Sequence, residues 1–145
     1  MPVTTYATVA QFFQWGLPQT ALGARSVADV QAALDAASAL MDDYFRSRYV
    51  LPFAAVGLTV ARHCVAIAVN IFMGGRGFSP VSGADESIVN GLTAAEAWLD
   101  KVQRRLLHPD VTDGNGDASP LVQAQVVSCG SVINDAGCRA ASRGW

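Results

Sequence analysis

The sequence predicts an all-α fold: a small helical bundle of one short N-terminal helix and three longer ones, followed by an extended C-terminal arm. Three observations predict it. Residues 26–50 and 85–107 carry apolar side chains at alternating spacings of four and three, the mark of a helix with one buried face. Residues 58–73 are apolar on nearly every side, as in a helix at the middle of a bundle. Glycine, proline and charged residues fall where such helices would start and stop. The chain has 145 residues, of which 51% are hydrophobic and 15% charged. One domain of that size buries about 68–70% of the surface its unfolded form exposes. The expected division is a helical domain over residues 1–109 and an arm over 110–145.

Thr8 to Gly16 reads as the short helix, with Thr8 as N-cap and Gly16 as its stop. Its Phe12, Phe13 and Trp15 are too apolar to be left in water, so this helix docks on the body or on a neighbouring subunit. Residues 17–25, with Pro18 and Gly23, form a loop. Ser26-Val27-Ala28-Asp29 opens the second helix as a capping box in which Asp replaces the usual Glu or Gln. Val30, Leu34, Ala37, Met41, Tyr44 and Arg48 make its stripe, and Pro52 ends it near residues 48–50 by disfavouring helix at Leu51. Leu58 to Met73 is the third helix, with small alanines that permit close approach, and Gly74-Gly75-Arg76-Gly77 closes it. The fourth runs from about Asp85 to Leu107. Its stripe is Ile88, Leu92, Ala95, Leu99, Val102 and Leu106, with Trp98 beside it. Asp85 and Glu86 sit at the positive end of its dipole and Lys101, Arg104 and Arg105 at the negative end.

After Pro109 the character changes. Asp110 to Pro120 reads as a Gly/Asp/Asn linker. In residues 121–127, Val122, Ala124 and Val126 alternate with Gln123 and Gln125, a short strand signal. The remainder is small and polar and ends on Trp145. Fully extended, residues 110–145 span on the order of 120 Å, and they read as an arm that orders by binding something.

Composition narrows the function classes. The longest apolar region, residues 51–73, contains Arg62, His63 and Asn70, short of the roughly 18 clean apolar residues of a membrane span. No basic segment precedes an apolar one at the N-terminus, so no signal peptide is expected, and the chain reads as a soluble protein made in a cytoplasm. The net charge of −2 offers no basic stripe for gripping nucleic acid beyond Lys101, Arg104 and Arg105. The cysteines Cys64, Cys129 and Cys138 follow no paired spacing, and that compartment disfavours a disulfide between the last two. Cys64, in a helical apolar run, reads as a small buried hydrophobe.

Candidate chemistry is thin. His63, Cys64 and His108 lack the close-paired spacing of a zinc site. Adjacent helical residues point about 100° apart, so His63 and Cys64 do not form a nucleophile pair by themselves. Asp113-Gly114-Asn115-Gly116-Asp117 resembles the start of a calcium loop, but Ala118 and Ala124 stand where an EF-hand needs Gly and Glu. It reads as a turn. The glycines at 74–77 lack the lysine and the strand context of a phosphate-binding loop. Asp42 and Asp43 read as neighbours on a solvated face. No catalytic constellation, cofactor or metal site is expected, and the chain is not read as an enzyme. Arg48 lies on an apolar stripe, where an arginine must pair or stack. It is either an internal clamp on a carboxylate such as Glu96 or Asp100, or a contact across a subunit boundary together with Arg46 and Tyr49.

Five features in order give the chain a resemblance to a known family. They are Tyr6-Ala7-Thr8 before a short helix, the run from Ala36-Ala37-Ser38 to Asp42-Asp43-Tyr44, and Arg48-Tyr49-Val50-Leu51-Pro52. An Ala/Ile-rich helix follows, and then Ala94-Ala95-Glu96-Ala97-Trp98-Leu99. Over residues 6–107 the chain resembles the Mu-like bacteriophage head–tail connector family of head-completion or adaptor proteins. It departs from that pattern at Phe45, where members often carry Leu. It also carries Leu106-Leu107-His108-Pro109 before any glycine-rich segment.

The resemblance implies a virion structural protein. Copies would form a dodecameric ring beneath the portal protein, extend the channel for packaged DNA without binding it specifically, and present a surface to a tail terminator or next connector layer. It places the protein at the head–tail interface of the virion, and in the host cytoplasm during assembly. Candidate interface residues are Phe12, Phe13, Trp15, Arg46, Arg48, Tyr49, Val122, Val126 and Trp145. The alternative is a DNA-binding or regulatory helical protein of a phage, which would need a more basic recognition helix than this chain offers.

Overall fold

In the computed structural model, residues 5–75 and 83–114 are described. They form four α-helices: α1 (Val9–Trp15), α2 (Val27–Phe45), α3 (Leu58–Gly74) and α4 (Gly83–Gln103). A 3₁₀ turn (Gln19–Leu22) lies between α1 and α2. Two short strands, β1 (Ala55–Val56) and β2 (Val111–Thr112), pair antiparallel, Ala55 with Thr112 and Val56 with Val111. The fold is the expected all-α bundle, with this small ribbon closing one end.

The helix starts follow from side-chain caps. Thr8 Oγ1 accepts the Gln11 N–H at 3.2 Å, and Gln11 Oε1 accepts the Thr8 N–H at 2.8 Å. Ser26 and Asp29 repeat the reciprocal pair at α2, where Asp29 Oδ2 accepts the Ser26 N–H at 2.8 Å. Each box satisfies backbone donors that have no partner inside the helix. The Ser26 backbone and hydroxyl bonds hold the exposed Asp29 carboxyl below the usual carboxylate range.

α3 is the central element and packs on α1, α2 and α4. Its Val60, Cys64, Ile67, Ala68 and Phe72 are buried on several faces, as an all-round apolar helix requires. α2 contributes Val30, Leu34, Ala37 and Met41, as its stripe predicts, and then Phe45 in place of Tyr44, which is only half-buried. Helix geometry does not decide between them, since at about 100° per residue both stand about equally far from the centre of the stripe; packing does, because a cluster of rings takes Phe45. Phe45 meets Tyr6, Tyr49, Phe53 and Trp98 with ring centroids 5.2 to 6.3 Å apart, all four edge to face. The T-shaped geometry is the one the ring quadrupoles favour.

Gly16, the predicted stop of α1, lets the helix end lie directly on α3. A Cβ there would come within 2.5 Å of Val69 Cγ2 and 2.8 Å of the Phe12 carbonyl.

Three expectations are corrected. α2 ends at Phe45 rather than at 48–50, although Arg48 and Tyr49 stay on the body through turn bonds back to the Phe45 carbonyl. α4 ends at Gln103, and Leu106 leaves the stripe to stand 74% exposed. Arg105 adopts φ 64°, the Leu106 N–H reaches the Lys101 carbonyl at 2.9 Å, and the Arg105 N–H reaches that of Val102 at 3.1 Å. This is a Schellman stop with arginine in the left-handed position usually given to glycine, and it turns the chain out of register. The third correction concerns Asp110 to Gly114, read as linker. These residues bind the body: Val111 is buried in β2, and the Gly57 and Gly114 N–H groups donate to the Asp110 and Val50 carbonyls at 2.7 and 2.8 Å. The strand signal at 121–127 lies outside the described residues.

Candidate functional site

The residues singled out from sequence separate into three groups. Phe12, Arg48 and Tyr49 are internal, exposed by no more than 2%. Phe13 and Trp15 are half-buried against the core, and Arg46 is exposed, 3.9 Å from Asp43. Val122, Val126 and Trp145 lie outside the described residues.

Arg48 is an internal clamp, but not on Glu96 or Asp100. Its Nη1 donates to the Val102 carbonyl in the last turn of α4 and, at 3.3 Å, to the Leu107 carbonyl in the chain beyond the turn that ends it. A cation there adds a second donor to the Val102 carbonyl, which the Arg105 N–H already reaches, and opposes the negative end of the helix dipole. Its Cζ lies 5.5 Å from the Tyr49 ring centre. Arg48 Nε and the Tyr49 hydroxyl are buried with no hydrogen-bond partner.

A second arginine does the same work at the other end of α2. Arg25 Nη1 donates to the Phe72 carbonyl near the end of α3, with its Cζ 4.7 Å from the Phe72 ring centre. Sequence reading passed over Arg25, since nothing in a loop arginine before an N-cap announces a carbonyl 47 positions on.

The groups considered for chemistry take structural places. His63 stacks on Trp98 at 4.5 Å and 24° between planes, and burial, then Arg62, lowers its pKa. The fully buried Cys64 thiol is pushed up to about 11 by burial, against weaker opposing bonds from Ser38 and from the Tyr6 and Ala7 backbone. Asp42 departs from the solvated-face expectation: it is half-buried and accepts the Tyr6 hydroxyl, whose pKa burial and that carboxylate both raise. Asp43 is exposed as expected. Asp113 is buried beside β2, and Asn115 to Asp117 of the calcium-like run lie outside the described residues. Among the described residues, no three His, Cys, Asp or Glu side chains come together as a metal site, and no helix is long and apolar enough to cross a membrane.

What sequence reading missed is a cleft of about 500 Å³ where the end of α1, one face of α3 from Arg62 to Met73 and the start of α4 fail to close. Trp15 and Leu17 form one wall, Val65, Val69 and Met73 the floor, and Ile88 and Gly91 the far side, with Arg62, Asp85 and Ser87 as its polar members. A half-buried Trp15 at the lip is the one feature for which the sequence held a signal.

Among the described residues the geometry is that of a packed helical body with an apolar cleft and exposed leucines at Leu58 and Leu106. No curated protein matches the chain. The family model described as bacteriophage Mu, Gp36 matches residues 14–128, which spans α2, α3, α4, the ribbon and the chain beyond it. The chain belongs to the bacteriophage Mu Gp36 family.

Proposed function

We propose that this phage protein is a virion structural protein, a head–tail connector or head-completion adaptor. Copies form a ring, a dodecamer, beneath the portal protein at the head–tail interface. The ring extends the channel through which packaged DNA passes without specific binding, and offers its far side to a tail terminator or next connector layer. The protein does this work by contact and not by catalysis.

The observation that carries the reading is the family match over residues 14–128. The structure supports it in a second way. Leu58 and Leu106 are 68% and 74% exposed on an otherwise well-packed body, and Trp15 lines an open cleft. Surfaces of that kind suit a protomer whose neighbours cover them. His63, stacked on Trp98, and Cys64, buried and protonated, are accounted for by packing.

Electron microscopy of a lysate from phage with an early stop codon in this gene tests the proposal. Unjoined heads and tails, with heads that leak DNA, are the expected outcome. Normally joined virions would overturn it.

A further inference from the structure

We infer that residues 5–16 form a strap that lifts off the bundle as one unit while α2, α3 and α4 stay folded, with Tyr6 as its latch. The device is conformational, and it governs when the seam between α2 and α3 is open.

The body is complete without the strap. α2, α3 and α4 each pack on the other two, whereas α1 packs on α2 and α3 and its end is parted from α4 by the cleft. The family match begins at residue 14 and covers all three of those helices, so most of the strap lies ahead of it. Only Tyr6, Ala7 and Phe12 of the strap are buried, against eight residues of α3 alone. Lifting it therefore uncovers much less apolar surface than unfolding the bundle does. At seven residues α1 is too short to persist as a helix in water. On leaving the body it melts, and the chain entropy it regains favours the open state. Such a segment opens at a lower free energy than global unfolding.

The strap lies across a seam. Thr5 Oγ1 donates to Asp35 Oδ1 at 3.0 Å, the Tyr6 N–H to Ser38 Oγ at 3.1 Å, and the Tyr6 hydroxyl to Asp42. Those acceptors stand on successive turns of α2. From there the strap crosses to α3, where the Phe12 ring centre lies 5.8 Å from that of Phe72 and Gly16 lies against Val69. Beneath the crossing, Ser38 Oγ and Cys64 Sγ meet at 3.5 Å, and the Tyr6 and Ala7 backbone bonds to the same sulfur. Tyr6 does most of the fastening, through its backbone, its hydroxyl and its ring, which sits 6.0 Å from that of Phe45 and 5.6 Å from that of Phe53. Thr5 adds only an exposed bond.

Hydrogen exchange of the full chain, followed by NMR across urea concentrations below the unfolding transition, tests the inference. The Tyr6 amide and those of Phe12 to Gly16 are expected to share one opening free energy below that of global unfolding, with a urea slope below about half the global one. The buried body positions Leu34, Ile67 and Leu99 are expected to exchange only through global unfolding. Tyr6→Phe keeps the ring and removes the hydroxyl. It is expected to speed the strap's exchange on the order of tenfold or more at an unchanged slope. Strap amides that exchange in step with Leu34 and Ile67, or that open one by one with separate slopes, overturn the inference. Strap exchange in Tyr6→Phe at the wild-type rate overturns Tyr6 as its latch.

Discussion

The two ends of α2 use one device in two settings. At its start Arg25 reaches a carbonyl of α3, and just past its end Arg48 reaches one carbonyl of α4 and one just beyond that helix. Each carries a cation over an aromatic ring as well. Arg25 is half-buried and lines an open hollow with Asp29, Ile71 and Phe72 between the start of α2 and the end of α3. Arg48 is 2% exposed beside a cluster of aromatic rings and the β ribbon. The lesson is that surroundings, rather than the bond, decide what such an arginine contributes. In water's reach a lost donor is replaced by solvent. In the packed end the Val102 carbonyl is left with the Arg105 N–H alone and the Leu107 carbonyl loses the arginine, with the guanidinium's space emptied beside them.

The comparison is most easily broken at its packed end. Arg48→Ala takes the side-chain donor from the Val102 carbonyl, which keeps only the Arg105 N–H, and opens a cavity, and is expected to cost about 3–4 kcal/mol of unfolding free energy. Urea denaturation checks it, and a loss below that of Arg25→Ala would contradict the argument. Arg25→Ala itself is expected to cost about 1 kcal/mol by the same measurement, since water reaches the Phe72 carbonyl it releases. Tyr49→Phe should act in the opposite direction. The hydroxyl it removes is buried and unpaired, so a gain of up to about 1 kcal/mol in the same titration is expected.

The smallest effect is a pH slope at His63. Its folded pKa lies below 6.5, through burial first and Arg62 second. As pH falls below about 6.5 the unfolded chain takes up the proton first. Stability is therefore constant above that pH and declines as pH drops toward the folded pKa. Denaturation midpoints at about pH 7.5 and about pH 5.5 are expected to differ by less in His63→Phe than in wild type. An unchanged difference would mean that other groups set the slope.

The same contrast shows which parts of the molecule could be read in advance. Helix starts were legible because a cap is local: Ser26 and Asp29 lie three positions apart and answer each other. The core of α2 was legible down to Met41, after which burial fell to Phe45 rather than Tyr44 because Tyr6, Tyr49, Phe53 and Trp98 gather around it from other parts of the chain, which spacing along one helix does not reveal. The ribbon was not legible. Each strand is two residues long, too short for alternation to register, and the pairing joins Ala55 to Thr112 across the whole of α3 and α4. The partners of Arg48 escaped for a related reason: a search for its counter-charge looks to carboxylates, whereas the backbone carbonyls that accept from it carry no mark in the sequence. Of the candidate surface, Trp15 was visible by type, but the cleft is a property of three helices meeting. Leu106 was assigned to the core because no rule of spacing anticipates an arginine in a left-handed turn.

Cys64 gives the molecule a built-in clock. Its thiol sits between α3 and Ser38 of α2, fully covered, with its pKa raised to about 11. A thiol-reactive probe attacks the thiolate and needs room to approach, and the closed bundle denies it both. Alkylation at position 64, followed by mass spectrometry of its own peptide, therefore ticks at the rate with which the α2–α3 seam parts. A ring neighbour that grips the bundle would slow that clock without touching the cysteine, so the pace of one buried sulfur would time assembly from inside the protomer.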